Sequence, residues 1–306
     1  MVTVGQAFGQ TEISGKSILN PALRPKRPDF SETKFPMSFF HNERIALVGN
    51  ATAERMNIFG NFETMLHLAY PKEQLIVRNF GRPADELTIR QRPGNYTLLD
   101  DPLLAFGADT YFCFYGFNES FSNEPTTDGF VTDYLRFLAD TATQYPRDDS
   151  GSAPRFVLVS PIAAEDSGDP LRPSANDRNE LLKRYAQAVE TVGAKSGWPV
   201  IKLFEDTRKE FLAAPSLQFT TNGVHCDNRG DFLVGKLIMS QLQGSDSSRG
   251  SLEASLQDAS YQKLRDSPIF THSTFPIPDA GSSAVANGRL LYKNLFTCLF
   301  RQFLVR

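Results

Sequence analysis

Five short apolar runs, spaced by helical segments, constrain this chain most. They lie at 45–48 (IALV), 74–79 (QLIVRN), 110–115 (TYFCFY), 156–160 (FVLVS) and 199–204 (PVIKLF). The first stops at Gly49, the second is closed by Phe80-Gly81, the third breaks at Gly116 and the fourth is cut off by Pro161. A brief apolar run that ends at a turn residue reads as a strand buried on both faces. Helical periodicity fills the gaps, over 53–70, 129–144, 176–196, 206–212 and 230–242, with a further short helix at 84–91. Phe130, Tyr134, Phe137, Leu138 and Thr141 recur at helical spacing, as do Leu181, Leu182, Tyr185, Val189 and Val192. Met65 and Leu68 read as core residues of the first helix. Alternating strands and helices call for a mostly parallel sheet with helices on both faces.

The alternation spans residues 41–243 and no internal repeat interrupts it. Residues 1–40 read as an extended or disordered arm, because the prolines of ALRPKRPDF cannot continue a helix. The basic patch Arg24-Pro25-Lys26-Arg27 within that arm reads as solvated linker. Residues 244–306 begin with the linker-like GSDSSRGS and end in LLYKNLFTCLFRQFLVR. That ending suits an amphipathic helix that either docks on the domain or seeks a surface.

Bulk properties exclude some classes. A formal net charge of −3 gives no electrostatic reason to expect nucleic acid as a partner. No apolar run approaches the ~18 residues of a membrane span. The first residues lack a basic start followed by an apolar block, so no secretory signal is expected. The expectation is a soluble, cytoplasmic protein, with export open if the true start lies upstream. Oligomeric state is not readable. Cys113, Cys226 and Cys298 have neither paired spacing nor a zinc motif, and read as buried or free thiols. No metal and no cofactor is expected.

A parallel α/β sheet puts its chemistry at the carboxyl ends of its strands. Four clusters fall there: Gly49-Asn50-Ala51-Thr52, then Asn79-Phe80-Gly81, then Gly116-Phe117-Asn118-Glu119, and, before the last helix, Asn222-Gly223-Val224-His225. In order and spacing this set resembles the SGNH (GDSL-type) hydrolases. The resemblance implies a three-layer α/β/α fold with a mostly parallel, flavodoxin-like five-stranded sheet. It implies hydrolysis of carboxylic esters, such as acyl or acetyl groups on carbohydrate. It also implies roles. Position 51 would carry the nucleophile, the Gly81 N–H and the Asn118 side chain would form the oxyanion hole, and position 222 would orient the base His225.

Two departures bear on mechanism. Ala51 stands where the family has serine, and a methyl group cannot attack a carbonyl. Asn222 stands where the family has aspartate. Its amide oxygen is expected to accept a hydrogen bond from the His225 ring without stabilising an imidazolium by charge. In a serine-protease triad the same exchange costs about 10⁴ in turnover.

Other readings compete at single positions. Thr52 is expected to cap the first helix rather than replace the nucleophile. Asn50, Thr52 and Glu119 are candidate substrate-binding residues. Glu119 or Glu165 could orient a water with His225 for direct hydrolysis, or be ordinary loop carboxylates. Cys226 neighbours His225 but should point away from it. The chain therefore reads either as a hydrolase using His225 on water, or as a non-catalytic module on the same fold that holds an ester or carbohydrate ligand. A nucleotide site at the first turn is disfavoured, since GxGxxG is absent.

Overall fold

The apolar runs form a five-stranded, wholly parallel sheet in the computed structural model, which describes residues 25–30, 32–89, 101–122, 126–169, 174–244 and 259–265. The strands are β1 (Arg44–Gly49), β2 (Ile76–Asn79), β3 (Thr110–Phe114), β4 (Arg155–Val159) and β5 (Val200–Ile201), in spatial order β2-β1-β3-β4-β5. The helices are α1 (Ala51–Phe59), α2 (Asn61–Ala69), α3 (Pro102–Phe106), α4 (Asp128–Gln144), α5 (Ala175–Ser196), α6 (Phe204–Ala213), α7 (Asn228–Gln243) and α8 (Ala259–Arg265).

Strict alternation along the strands makes the three layers. Ile45, Leu47, Phe112, Phe114, Val157 and Val159 face a core closed by α1, α2 and α7. Ala46, Val48, Tyr111, Cys113, Phe156 and Leu158 face a second core closed by α4 and α5. Burying each such aliphatic or aromatic side chain stabilises the fold by about 1.5–3 kcal/mol. A strand buried on both faces can be apolar throughout, which is why these runs were legible.

Several boundaries differ from the sequence expectation. The helix expected over 53–70 is two helices, broken at Gly60, which adopts φ +67° and ends α1 with its N–H on Met56 O. Residues 84–89 form turns rather than a helix, and the rest of that expected helix lies outside the described residues. Helix α3, which the sequence reading missed, starts on a proline capped by Asp101. Leu181 and Leu68 are exposed, so neither is core. The apolar C-terminal ending and Cys298 lie outside the described residues.

The chain before β1 crosses the amino ends of the strands. Arg27 is not solvated linker: its guanidinium donates to both oxygens of the buried Asp109, at 3.0 and 2.7 Å, and to Asn42 O. Beside it, Arg155 donates to Glu43 Oε1 at 2.7 Å, to Thr110 Oγ1 at 2.8 Å and to Ser38 O at 2.8 Å. The ring of Phe30 lies 4.5 Å from the Arg155 guanidinium. Burial raises the Glu43 carboxyl, and Arg155 opposes that rise.

Candidate functional site

The strand order reverses between β1 and β3, so the carboxyl ends of those two strands form the switch point of the sheet, where open α/β folds bind ligands. Gly49 ends β1 with φ +120°, and a Cβ there would lie 2.1 Å from Phe114 O, so only glycine fits. The next N–H, of Asn50, donates to Phe114 O at 3.1 Å. The Asn50 side chain then caps α1 by accepting from Thr52 N at 3.0 Å. The cap is thus Asn50 and not Thr52, and Asn50, almost wholly buried, is part of the helix start. Ala51 opens α1 as a buried methyl.

Gly81 follows β2 and packs tightly against α1: a Cβ there would approach Glu54 N at 2.6 Å. Its N–H donates to the Asn79 side chain at 2.9 Å. Asn118 donates its amide to Asp85 O at 3.2 Å. The Gly81 N–H is therefore engaged within the 79–81 turn, while Asn118 uses one of its two amide hydrogens on Asp85 O.

Glu119 accepts from Gly116 N at 2.8 Å and from Leu87 N at 3.1 Å, which ties the β3 turn to the 81–89 loop. Burial pushes its carboxyl up to about 7, against those two N–H donors. Glu165 accepts from Phe219 N, Thr220 N and Thr220 Oγ1, while its own N–H donates to Gly223 O at 2.7 Å. It clamps the loop that carries Asn222 and His225. The structure gives Glu119 and Glu165 these loop-fixing contacts.

The fourth cluster decides the state of the histidine. Asn222 Oδ1 accepts from His225 N at 2.9 Å and from Val224 N at 3.3 Å, an Asx turn. Backbone N–H groups can only donate, so the amide oxygen is fixed on that side. Asn222 Nδ2 then lies 2.8 Å from His225 Nδ1. An amide NH₂ has no acceptor capacity, so Nδ1 must accept and the neutral ring carries its proton on Nε2. This reverses the expected contact, in which the amide oxygen accepts from the ring. An imidazolium would set two donors against each other here. Burial also lowers the His225 pKa, as does Arg55, with Glu54 opposing.

His225 shares one small cavity with Thr52, Arg55, Met56, Val224, Cys226, Asp231 and Val234. Its free volume is about 10 Å³, at the lower limit for a single water. Arg55 donates Nη2 to Cys226 O at 3.2 Å. Asp231 is buried on α7, and its Oδ2 accepts from Asn61 Nδ2 at 2.7 Å. Burial pushes Asp231 up to about 7, against the Asn61 donors and Arg55. Cys226 is also buried, and its thiol pKa is raised mainly by that burial. Ala51, Gly81 and Asn118 do not line this cavity. Among the described residues no three metal-type side chains converge.

The sequence reading missed Arg55, Asp231 and Asp85, and it named Asn79 only as part of a strand-end cluster, without a role. Asn79, two residues before a glycine, carries a side-chain-to-backbone turn signal. Arg55 lies three residues after Thr52 and shares its helix face. Asp231 and Asp85 carry no local signal, because their roles arise from packing.

No family model matches the chain, and no curated protein matches it in sequence. Solved structures do match. A protein described as a GDSL-like lipase from Parabacteroides merdae superposes with TM-score 0.54 at 14% identity, covering 68% of this chain and 98% of that one. A serine-to-alanine catalytic mutant of Axe2, an acetylxylan esterase from Geobacillus stearothermophilus, superposes with TM-score 0.51 at 11% identity, covering 70% and 100%. Together with the parallel β2-β1-β3-β4-β5 sheet, these matches show the SGNH-hydrolase fold.

Proposed function

We propose that this chain is a non-hydrolytic SGNH-fold protein, in which the usual ester-cleaving site has become a ligand-binding site. The observation that carries this reading is the Asn222–His225 contact. A general base needs an unprotonated nitrogen aimed at the proton it takes. In the triad a carboxylate holds Nδ1–H, which leaves Nε2 free to accept. Here the amide donates to Nδ1, so Nε2 bears the proton and acts as a donor. Three further features agree with that reading. Ala51 supplies no nucleophile, the Gly81 N–H is held by Asn79, and one of the two Asn118 amide hydrogens is held by Asp85. Direct attack by water under His225 meets the same obstacle, because the ring nitrogen away from Asn222 has no lone pair to accept with.

The ligand class proposed from the fold comparison is an acyl compound or a substituted carbohydrate, the chemistry named for the acetylxylan esterase it resembles. The test is a panel of nitrophenyl acetate, nitrophenyl butyrate and acetylated sugars, run on wild type, Ala51→Ser and His225→Ala. Wild type is expected at the background rate. Wild-type hydrolysis abolished by His225→Ala would overturn the reading. Wild-type hydrolysis indifferent to His225→Ala would place the chemistry elsewhere in the molecule.

A further inference from the structure

We propose that the cavity beside His225 is a carboxylate-binding site, in which Arg55, Thr52 and the Nε2–H of His225 receive one oxygen of a small organic acid. The inference rests on the non-hydrolytic reading and names its ligand.

The argument starts from Arg55. Its Nη2 is held by Cys226 O, but its Nε is shut off from solvent and has no hydrogen-bond partner. Among the described residues no carboxylate forms an ion pair with it. A guanidinium is always charged and presents its donors in a fixed fork, so a buried N–H of that fork without an acceptor is an unmade contact. Thr52 lies on the same cavity wall. Asn50 has taken the capping role, and the Thr52 hydroxyl makes no hydrogen bond among the described residues. His225 adds a third donor, because Asn222 fixes its Nδ1 as an acceptor. Three residues that carry such donors thus line one cavity.

The other walls select the class. Met56, Val224 and Val234 are apolar and suit a carbon skeleton. With about 10 Å³ of free volume, the closed part admits one oxygen atom, and the rest of the ligand stays at the mouth. A carboxylate meets both conditions, since a single oxygen can enter while its carbon chain points out. Charge–charge effects on His225 come from Arg55 and Glu54 of α1. From α7 the cavity is faced by Asp231, whose Oδ2 is already held by Asn61. A neutral ester offers only a carbonyl dipole to this cation, whereas a carboxylate adds the attraction between opposite charges in a partly desolvated site.

The test is an NMR titration of the full chain, following the His225 ring and Arg55 Nε resonances. The probes are acetate, glucuronate, methyl acetate and inorganic phosphate. Acetate and glucuronate are expected to give saturable shifts at both residues, and methyl acetate none. Arg55→Gln is expected to weaken acetate binding by about tenfold or more. Because Arg55 also steadies the loop at Cys226, Thr52→Val serves as a second variant, with a smaller loss and an unchanged backbone spectrum. No saturable shift with either carboxylate overturns the inference. So does equal affinity in Arg55→Gln, equal binding of methyl acetate, or tighter binding of phosphate. An inert wild type that binds no carboxylate sinks this inference alone, whereas a wild type that cleaves esters sinks the reading beneath it.

Discussion

The two ends of the sheet treat charge differently. At the amino ends, Glu43 and Asp109 are fully buried, and each has an arginine within 2.7 Å, Arg155 and Arg27 respectively. At the carboxyl ends, Arg55 keeps a buried N–H without an acceptor, and Asp231 meets amide donors rather than a cation at hydrogen-bond distance. A buried pair left with one member is strongly destabilised, so ion pairs of this kind belong to the scaffold, although Arg147 beside them also keeps a buried Nε without a partner among the described residues. Unmet donors around a cavity are tolerated where a ligand completes them. On the proposed reading, the ion pairs at one end of the strands serve stability and the unmet donor at the other serves a ligand.

The largest expected effect breaks the binding end. Ala51→Ser restores a hydroxyl, yet His225 still donates from Nε2, so the single variant is expected to remain near background with nitrophenyl acetate. Adding Asn222→Asp restores a carboxylate that accepts from Nδ1–H and frees Nε2. The double variant is expected to exceed Ala51→Ser by up to about 10⁴-fold. Equal rates in the two would show that Asn222 is not what blocks the site.

Stability measurements sharpen the contrast from the other end. Arg155→Met leaves Glu43 buried without its cation and is expected to cost about 3–5 kcal/mol in urea denaturation. Arg55→Met, removing a cation with no ion-pair partner and one hydrogen bond to Cys226 O, is expected to cost less, about 1.5 kcal/mol at most. Comparable losses would erase the distinction between the two ends. Glu165→Ala lies between them. It frees Phe219 N and Thr220 N from a charged acceptor, for an expected loss of about 1.5–3 kcal/mol.

The smallest effect is a pH slope. In the fold the Asp231 carboxyl is raised from 3.8 to about 7, so the folded state holds a proton that the unfolded chain has released. That contribution is full below about 3.8 and is lost as pH rises toward about 7. Glu119, raised from 4.5 to about 7, acts in the same direction. The lowered His225 has the opposite sign: its contribution is present above 6.5 and is lost as pH falls below that value. Denaturation midpoints of Asp231→Asn across this range are expected to decline less steeply with rising pH than those of wild type. An unchanged slope would mean that Asp231 is ionised throughout.

Much of the scaffold was legible in the chain, because a doubly buried strand must be apolar at every position. The runs at 45–48 and 156–160 could hardly be anything else. The four strand-end clusters were legible for a related reason, since glycine marks places where backbones touch, as Gly49 does against Phe114. What escaped the sequence was partnership. Nothing local says that Asp85 reaches Asn118, or that Asn222 presents its nitrogen rather than its oxygen to His225. Arg27 was misread for the same reason: its partner Asp109 lies 82 residues away. The break at Gly60 escaped because the apolar pattern continues through it from α1 to α2.

One measurement tests the central claim most directly. Long-range ¹H–¹⁵N correlation spectra of the neutral wild-type protein report which ring nitrogen of His225 carries the proton. The account predicts a protonated Nε2 and an unprotonated Nδ1, and a reversed pattern in Asn222→Asp. A wild-type ring protonated on Nδ1 would contradict it, since His225 would then stand ready as a base.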